Sequence, residues 1–257
     1  MSLELSTFAD RLDERLHTDD YADLDASANG LQVGPDEGSL ERVAFAVDGA
    51  VETFERAAEA NADALVVHHG LSWGGFDRVT GRTYDRLEPL FEHDIALYVS
   101  HLPLDGHQEL GNAAGVADVL ELEDRNPFGE LGPEHIGQRG TAPDAYEPDD
   151  LTDRLESELE TDGRPVRLLE FGPDEIEAVA VVTGSGVDWL DEAVEAGADA
   201  LVTGEGKQQV YHEAREAGIN VVLAGHYATE TFGVRALQEL VEEWGLETTF
   251  LEAPTGL

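Results

Sequence analysis

Apolar positions along the chain follow two spacings. Over 4–17, 51–60, 83–94, 148–160 and 207–218 they recur every three to four residues, the spacing of helices with one buried stripe. Between these lie short, almost unbroken apolar runs: ERVAFAV (41–47), DALVV (63–67), IALYVS (95–100), EAVAVV (177–182) and INVVLAG (219–225). Short, almost wholly apolar runs suit strands covered on both faces. Their alternation with helices of roughly 10–15 residues predicts βαβ units and an α/β fold. The helix over 148–160 opens with Pro148, Asp149 and Asp150, acids favourable at the positive end of its dipole.

The pattern then recurs. Residues 177–206 repeat the order of 41–70, and Ala62-Asp63-Ala64-Leu65-Val66 reappears as Ala198-Asp199-Ala200-Leu201-Val202, an offset of 136 (198 − 62). The strand over 219–225 answers the one over 95–100 at an offset of 125, the difference being absorbed by the longer Gly-rich loop GLSWGG (70–75) of the first half. Such a five-residue junction also arises by convergence, but repetition of the whole element order argues for internal duplication. Two similar α/β subdomains facing each other are expected, with a metal site between them. The stretch 124–146, rich in Pro, Gly and acid, reads as the boundary. It gives an N-terminal subdomain over 1–126 and a C-terminal one over 127–257.

Composition narrows the chemistry. The 257 residues contain no cysteine, which excludes disulfides, thiolate metal sites, iron–sulfur clusters and cysteine nucleophiles. No apolar run approaches the roughly 20 residues that span a bilayer. The N-terminus reads as an amphipathic helix and not a signal peptide, so a cytoplasmic location is expected, with no membrane partner. Lys plus Arg is 15 against 56 for Asp plus Glu, a net charge of −41, and Lys207 is the one lysine. The acids lie along helices that also carry apolar stripes, so disorder is not implied. Repulsion of this size predicts adaptation to a salty cytoplasm, since the Debye length falls from about 10 Å at 0.1 M salt to about 3 Å at 1 M. With no basic stripe to neutralise phosphates, nucleic acid is an unfavoured partner.

Candidate chemistry sits after the strands. In open α/β sheets ligands bind beyond the carboxyl ends of the strands. DALVV ends in His68-His69-Gly70, and IALYVS in His101-Leu-Pro-Leu-Asp105. In the second half DALVT ends in Gly204-Glu205, and INVVLAG in His226-Tyr-Ala-Thr-Glu230. A His followed four residues on by an acid is close to chance in so acidic a chain, and His212–Glu216 reads as a solvated helix pair. The other two instances count because they stand at matching strand ends of matching repeats. A lone His after an apolar strand usually serves structure, but a doublet is costly to bury without partners. His17, His93, His107 and His135 read as loop or helix-face residues. If the halves face each other, His68, His69, Asp105, His226 and Glu230 can converge. Imidazole and carboxylate donors suit Zn, Fe, Mn or Co, and five of them suit two divalent ions with a bridging carboxylate. Hydrolysis is the default chemistry of such a pair, whereas a closed structural site usually holds one four-coordinate ion.

These residues resemble the Nif-three-like dinuclear-metal hexameric proteins, often labelled GTP cyclohydrolase I type 2 homologs. Ala28-Asn29-Gly30-Leu31-Gln32-Val33-Gly34 is similar to the family's Asn-x-Gly-Leu-x-x-Gly signature. Val66-Val67-His68-His69-Gly70 and Ser100-His101-Leu102-Pro103-Leu104-Asp105 follow in order, with Leu102 where Thr is usual. Val182-Thr183-Gly184-Ser185-Gly186, Thr203-Gly204-Glu205 and Gly225-His226-Tyr227-x-x-Glu230 complete the set, covering nearly the whole chain. The resemblance implies metal ligation by His68, His69, Asp105, His226 and Glu230, with Glu230 bridging two divalent ions per chain. It places His101 beside the ions, in a supporting or proton-transfer role, and Glu205 is treated alike; no residue is assigned a catalytic step. It also implies a homo-hexameric ring.

The function expected from this is hydrolysis of a small nucleotide-like or phosphate-bearing molecule. No Walker motif and no guanine-reading Asn-Lys-x-Asp is present, so the residues give no independent support for GTP. The alternative is a metal-trafficking or protein-interaction ring without turnover.

Overall fold

The computed structural model describes residues 1–35, 37–76 and 78–257. The chain divides into two units, Met1–Leu104 with Val234–Ala253, and Asp105–Gly233 with Pro254–Leu257. Both are mixed α/β.

The first unit is built on a five-stranded sheet in the order Glu247–Phe250, Arg42–Asp48, Ala64–His69, Ala96–Val99, Gly30–Val33. The first four strands are parallel, and Gly30–Val33 lies antiparallel at one edge. Residues 43–47, 64–67 and 96–99 are buried throughout, which explains why these strands read as unbroken apolar runs. Helix Val51–Glu59 contributes Phe54 and Ala57 to the core, and Arg82–Glu92 contributes Leu87 and Leu90. Helix Leu5–Leu16 sets Phe8 edge-on to Tyr98, with ring centroids 6.3 Å apart.

The second unit carries a six-stranded sheet in the order Glu123–Leu131, Glu134–Tyr146, Ile176–Val181, Ala200–Thr203, Asn220–Leu223, Arg167–Leu169. Ile176–Val181, Ala200–Thr203 and Asn220–Leu223 are parallel, and the rest pair antiparallel. Leu151 and Leu155 of helix Pro148–Glu158 pack in one core with Val179, Val181, Val202 and Val222.

The parallel strands of the two units share one register. Val43 pairs with Ala64 and Ala64 with Ala96; Val179 pairs with Ala200 and Ala200 with Asn220. The hydrogen bonds at the start of these strands also correspond. Asp63 Oδ2 accepts from the amides of Glu41 and Arg42, and Asp199 Oδ2 accepts from those of Glu177 and Ala178, each 136 residues on (199 − 63, 177 − 41).

Three sequence expectations change. The stretch 124–146 is no linker: strands Glu123–Leu131 and Glu134–Tyr146 form a hairpin inside the second unit, and the expected division at 126/127 falls within its first strand. Its glycines shape the hairpin, with Gly129 and Gly132 at positive φ and no space for a Cβ at Gly137, 2.3 Å from the Val181 carbonyl oxygen. The offset between the third parallel strands is 124 (220 − 96), one less than at the histidines, because Gly225 at φ 97° adds a residue before His226. Finally, helix Thr231–Glu243 returns the chain to the first unit, where Glu247–Phe250 adds the outermost strand. Three of this strand's four residues are polar (ETTF), so it carries no apolar run to announce it.

Candidate functional site

Polar side chains stand at or just beyond the ends of several parallel strands. In the first unit Ala64–His69 carries His68 and His69, and His101 follows Ala96–Val99. Ligand atoms of these three imidazoles lie within 4.8 Å of one another, and the ring centroids of His68 stand 4.6 Å from His69 and 5.1 Å from His101. Each ring is held by Nδ1. His68, fully buried, places Nδ1 2.9 Å from the Ser100 carbonyl oxygen. His69 places Nδ1 2.8 Å from Asp48 Oδ1, and His101 places it 2.9 Å from Asp25 Oδ1. A carbonyl or carboxylate can only accept, so Nδ1 carries the hydrogen and Nε2 of the neutral ring carries the lone pair. An oxygen acceptor on the far nitrogen is the usual support of a metal-ligating histidine.

The Asn29 signature now has a physical reason. Asn29 Oδ1 accepts from the His101 amide and its Nδ2 donates to Asp25 Oδ2, so the motif aims Asp25 at the His101 ring. Burial alone would raise the Asp25 carboxyl, but hydrogen bonding and charge from His101, with Asn29 and the Ser27 amide, outweigh it and hold it near 2.

In the second unit Asp105, His226 and Glu230 come together. Glu230, 3% exposed, sets Oε2 3.1 Å from His226 Nε2, and its carboxylate lies within 4.8 Å of that of Asp105. Asp105 Oδ1 accepts from Asn112 Nδ2 at 2.8 Å and Thr183 Oγ1 at 3.2 Å. His226 Nδ1 faces Glu205 Oε1 at 3.1 Å, and Glu205 is held in turn by Ser185 Oγ. Gly184, at φ 58°, clears space for this group: a Cβ there would stand 2.2 Å from Glu230 Oε1 and 3.2 Å from His226 Nε2. Burial opposes charge on His226, but Glu230 and then Glu205 prevail and push it up to about 9. Ser185 chiefly holds Glu205 below the usual carboxylate range, against burial and with help from His226.

The donor set fits a divalent cation. In the second unit two buried carboxylates stand within 4.8 Å of each other, with an imidazole against one of them, and a divalent ion would offset their repulsion as a protonated His226 does. In the first unit three imidazoles with Nδ1 engaged suit borderline divalent ions, and the sequence has no thiolate. His101, expected beside the ions, lies in the same group as His68 and His69 and could itself hold one. Glu205, expected in a supporting role, lies against His226 Nδ1. Sequence reasoning missed Asp48, Asp25, Asn112 and Thr183. Asp48 was within reach, because it ends a strand as His69 does; Asn112 stands only seven residues past Asp105 but in no spacing that marks it, and Asp25 and Thr183 act from 76 and 78 residues away. Among the described residues no helix is long and apolar enough to cross a membrane.

The sequence matches the family described as Duf34/NIF3 (NGG1p interacting factor 3) over residues 3–255. It is 57% identical to a "GTP cyclohydrolase 1 type 2 homolog" of Halobacterium salinarum over 255 residues, covering 99% of this chain and 100% of the relative. A relative of the same description from Archaeoglobus fulgidus is 41% identical over 96% of each chain. Among solved structures, that of TTHA1606 from Thermus thermophilus superposes with a TM-score of 0.89 at 39% identity, covering 99% of this chain and 100% of that one. A match over nearly the whole sequence, joined to relatives of this identity and coverage, means that the chain belongs to the Duf34/NIF3 family.

Proposed function

We propose that this chain holds two divalent ions through His68, His69, Asp105, His226 and Glu230, and hydrolyses a small nucleotide-like or phosphate-bearing molecule. The observation that carries this reading is the shared support of the imidazoles: all four place Nδ1 against an oxygen acceptor, and His226 turns its Nε2 to the buried carboxylate of Glu230. When bound, such ions polarise a substrate oxygen and bring the pKa of water toward neutrality. The chain's own groups do the rest. Asp48 and Glu205 keep His69 and His226 in the ligating tautomer, and Asn112 and Thr183 orient Asp105. His101, with Nδ1 tied to Asp25, exchanges a proton at Nε2. Glu230 is the bridging carboxylate in this reading, a role that rests on the family resemblance. That the five residues serve the same pair of ions, that the chain forms a homo-hexamer, and that the shared strand register records an internal duplication all belong to this proposal.

The test is metal content per chain by elemental analysis in high salt. The wild type is expected to take up two ions, and His68→Ala and Glu230→Ala are each expected to lose most of that content. Both variants failing alike would support one shared centre. Full metal content in Glu230→Ala would remove its bridging role, and a wild type that takes up no metal would remove the hydrolase.

A further inference from the structure

The loop after His69 holds an aromatic side chain where solvent can reach it. Trp73 is 47% exposed, yet its backbone and indole are both fixed. It bridges Ser27 as an antiparallel partner, and its Nε1 donates to the Gly70 carbonyl at 3.2 Å. The turn before it is tied down by Gln32, whose Oε1 accepts from the amides of Leu71 and Ser72 at 2.6 and 3.0 Å. The Ala28 amide donates to Ser72, and the Gly74 amide to Ala26. A bulky aromatic left half exposed and held this firmly is not filling a core. It stands edge-on to His101, with centroids 4.9 Å apart, and 6.2 Å from His69. It also lines a cavity of about 190 Å³ together with Leu71, Phe76, Thr83, Arg86 and Leu87. Arg86 is half-buried there and is held by an Nη2 hydrogen bond of 3.0 Å to the Gly49 carbonyl.

We propose that Trp73, Phe76 and Arg86 form a subsite for a planar heteroaromatic ring, seated beside the histidine cluster. This assignment rests on the reading of that cluster as a substrate site and adds which part of the substrate the protein recognises. The volume falls below the roughly 300–1,000 Å³ of cavities that enclose whole ligands, so it suits one ring system with the remainder outside. A pre-positioned indole offers a π-face at little entropic cost, since neither backbone nor side chain must be ordered on binding. A guanidinium at the rim donates to the acceptor atoms that edge a heterocycle. An aliphatic phosphate or a bare sugar phosphate would use neither feature.

The probes are guanosine and adenosine monophosphates, with ribose 5-phosphate as the ring-free control. Binding is measured by equilibrium dialysis in high salt on metal-loaded and metal-free protein. The wild type is expected to prefer the ring-bearing probes. Trp73→Ala should lose about 5- to 150-fold of that affinity, the span seen when a base loses its stacking partner, and leave ribose 5-phosphate unchanged. Trp73→Phe should keep most of the preference, and Trp73→Leu, which restores bulk without a π-face, should not. Equal binding of all three probes by the wild type, or a Trp73→Leu variant with the wild-type preference, would overturn the subsite. Ring preference that survives in a protein that takes up no metal would support the subsite and dispose of the hydrolase reading instead.

Discussion

Gly184 shows how much a single position decides. No side chain fits there: φ is 58°, and a Cβ would press on Glu230 Oε1 at 2.2 Å. Gly184→Ala should leave the fold standing, since the atom in the way is the end of a side chain, but displace Glu230. Loss of even a supporting contact at a metal site typically costs about 10–100-fold in affinity, and because Glu230 is a ligand in the proposed site a drop of at least that size, measured by competition with a chelator, is expected. Asp25 acts through protons. Its folded carboxyl is held near 2, below the ordinary 3.8. A depressed carboxyl stabilises the fold above its unfolded pKa, and the gain fades as pH falls toward the folded value. The side chain is 2% exposed, so little of the effect is screened, and the pH-dependent part is about 2 kcal/mol. Urea melts in high salt should therefore show wild type exceeding Asp25→Asn by a margin that is full at pH 5 and shrinks from about pH 4 toward 2. A margin constant across that range would refute the assignment.

Among the elements, the helix-to-strand junctions carry the clearest correspondence between the units. Asp63 and Asp199 each close the start of a parallel strand by accepting from two successive amides. Hydrogen bonds to a charged acceptor contribute more than neutral ones, and both carboxylates are half-buried. Asp63→Ala and Asp199→Ala should each cost about 1–3 kcal/mol, and by similar amounts, in denaturant titrations. A large cost at one with none at the other would show that the matching geometry hides different roles. The junctions were legible because Ala-Asp-Ala-Leu-Val stands in both halves and the apolar runs that follow are buried on both faces. The hairpin over 123–146 was not, since its Gly and Pro residues mark turns and close backbone approach as readily as a linker. Strand Glu247–Phe250 escaped notice for a related reason: at the edge of its sheet it buries no apolar face.

At the scale of the molecule, charge governs. A net charge of −41 on 257 residues is a large self-repulsion. Ion pairs such as Arg125–Asp118, Arg154–Glu121 and Arg235–Glu252 are mostly exposed and offset little of it. Circular dichroism should show a folded protein near 1 M salt and loss of structure at about 0.05 M, where the Debye length exceeds 10 Å and screening fails. Unchanged spectra at the lower salt would show that packing alone sustains the fold.

The sequence by itself determined the α/β class, the apolar runs that form the described parallel strands other than Glu247–Phe250, and which polar residues stand just past those runs. All of these follow from local periodicity and from the rule that ligands sit beyond the strand ends, which need no knowledge of distant contacts. The tertiary structure alone decided which atoms those donors present. Ser100, Asp48, Asp25 and Glu205 reach their histidines from 32, 21, 76 and 21 residues away, and it is they that hold each Nδ1. The exposure of Trp73 was likewise invisible beforehand, because a tryptophan in a Gly-rich loop reads the same whether it fills a core or faces solvent. Hydrogen bonds between residues far apart in the chain have no spacing rule, so the support of the site had to be seen in the fold.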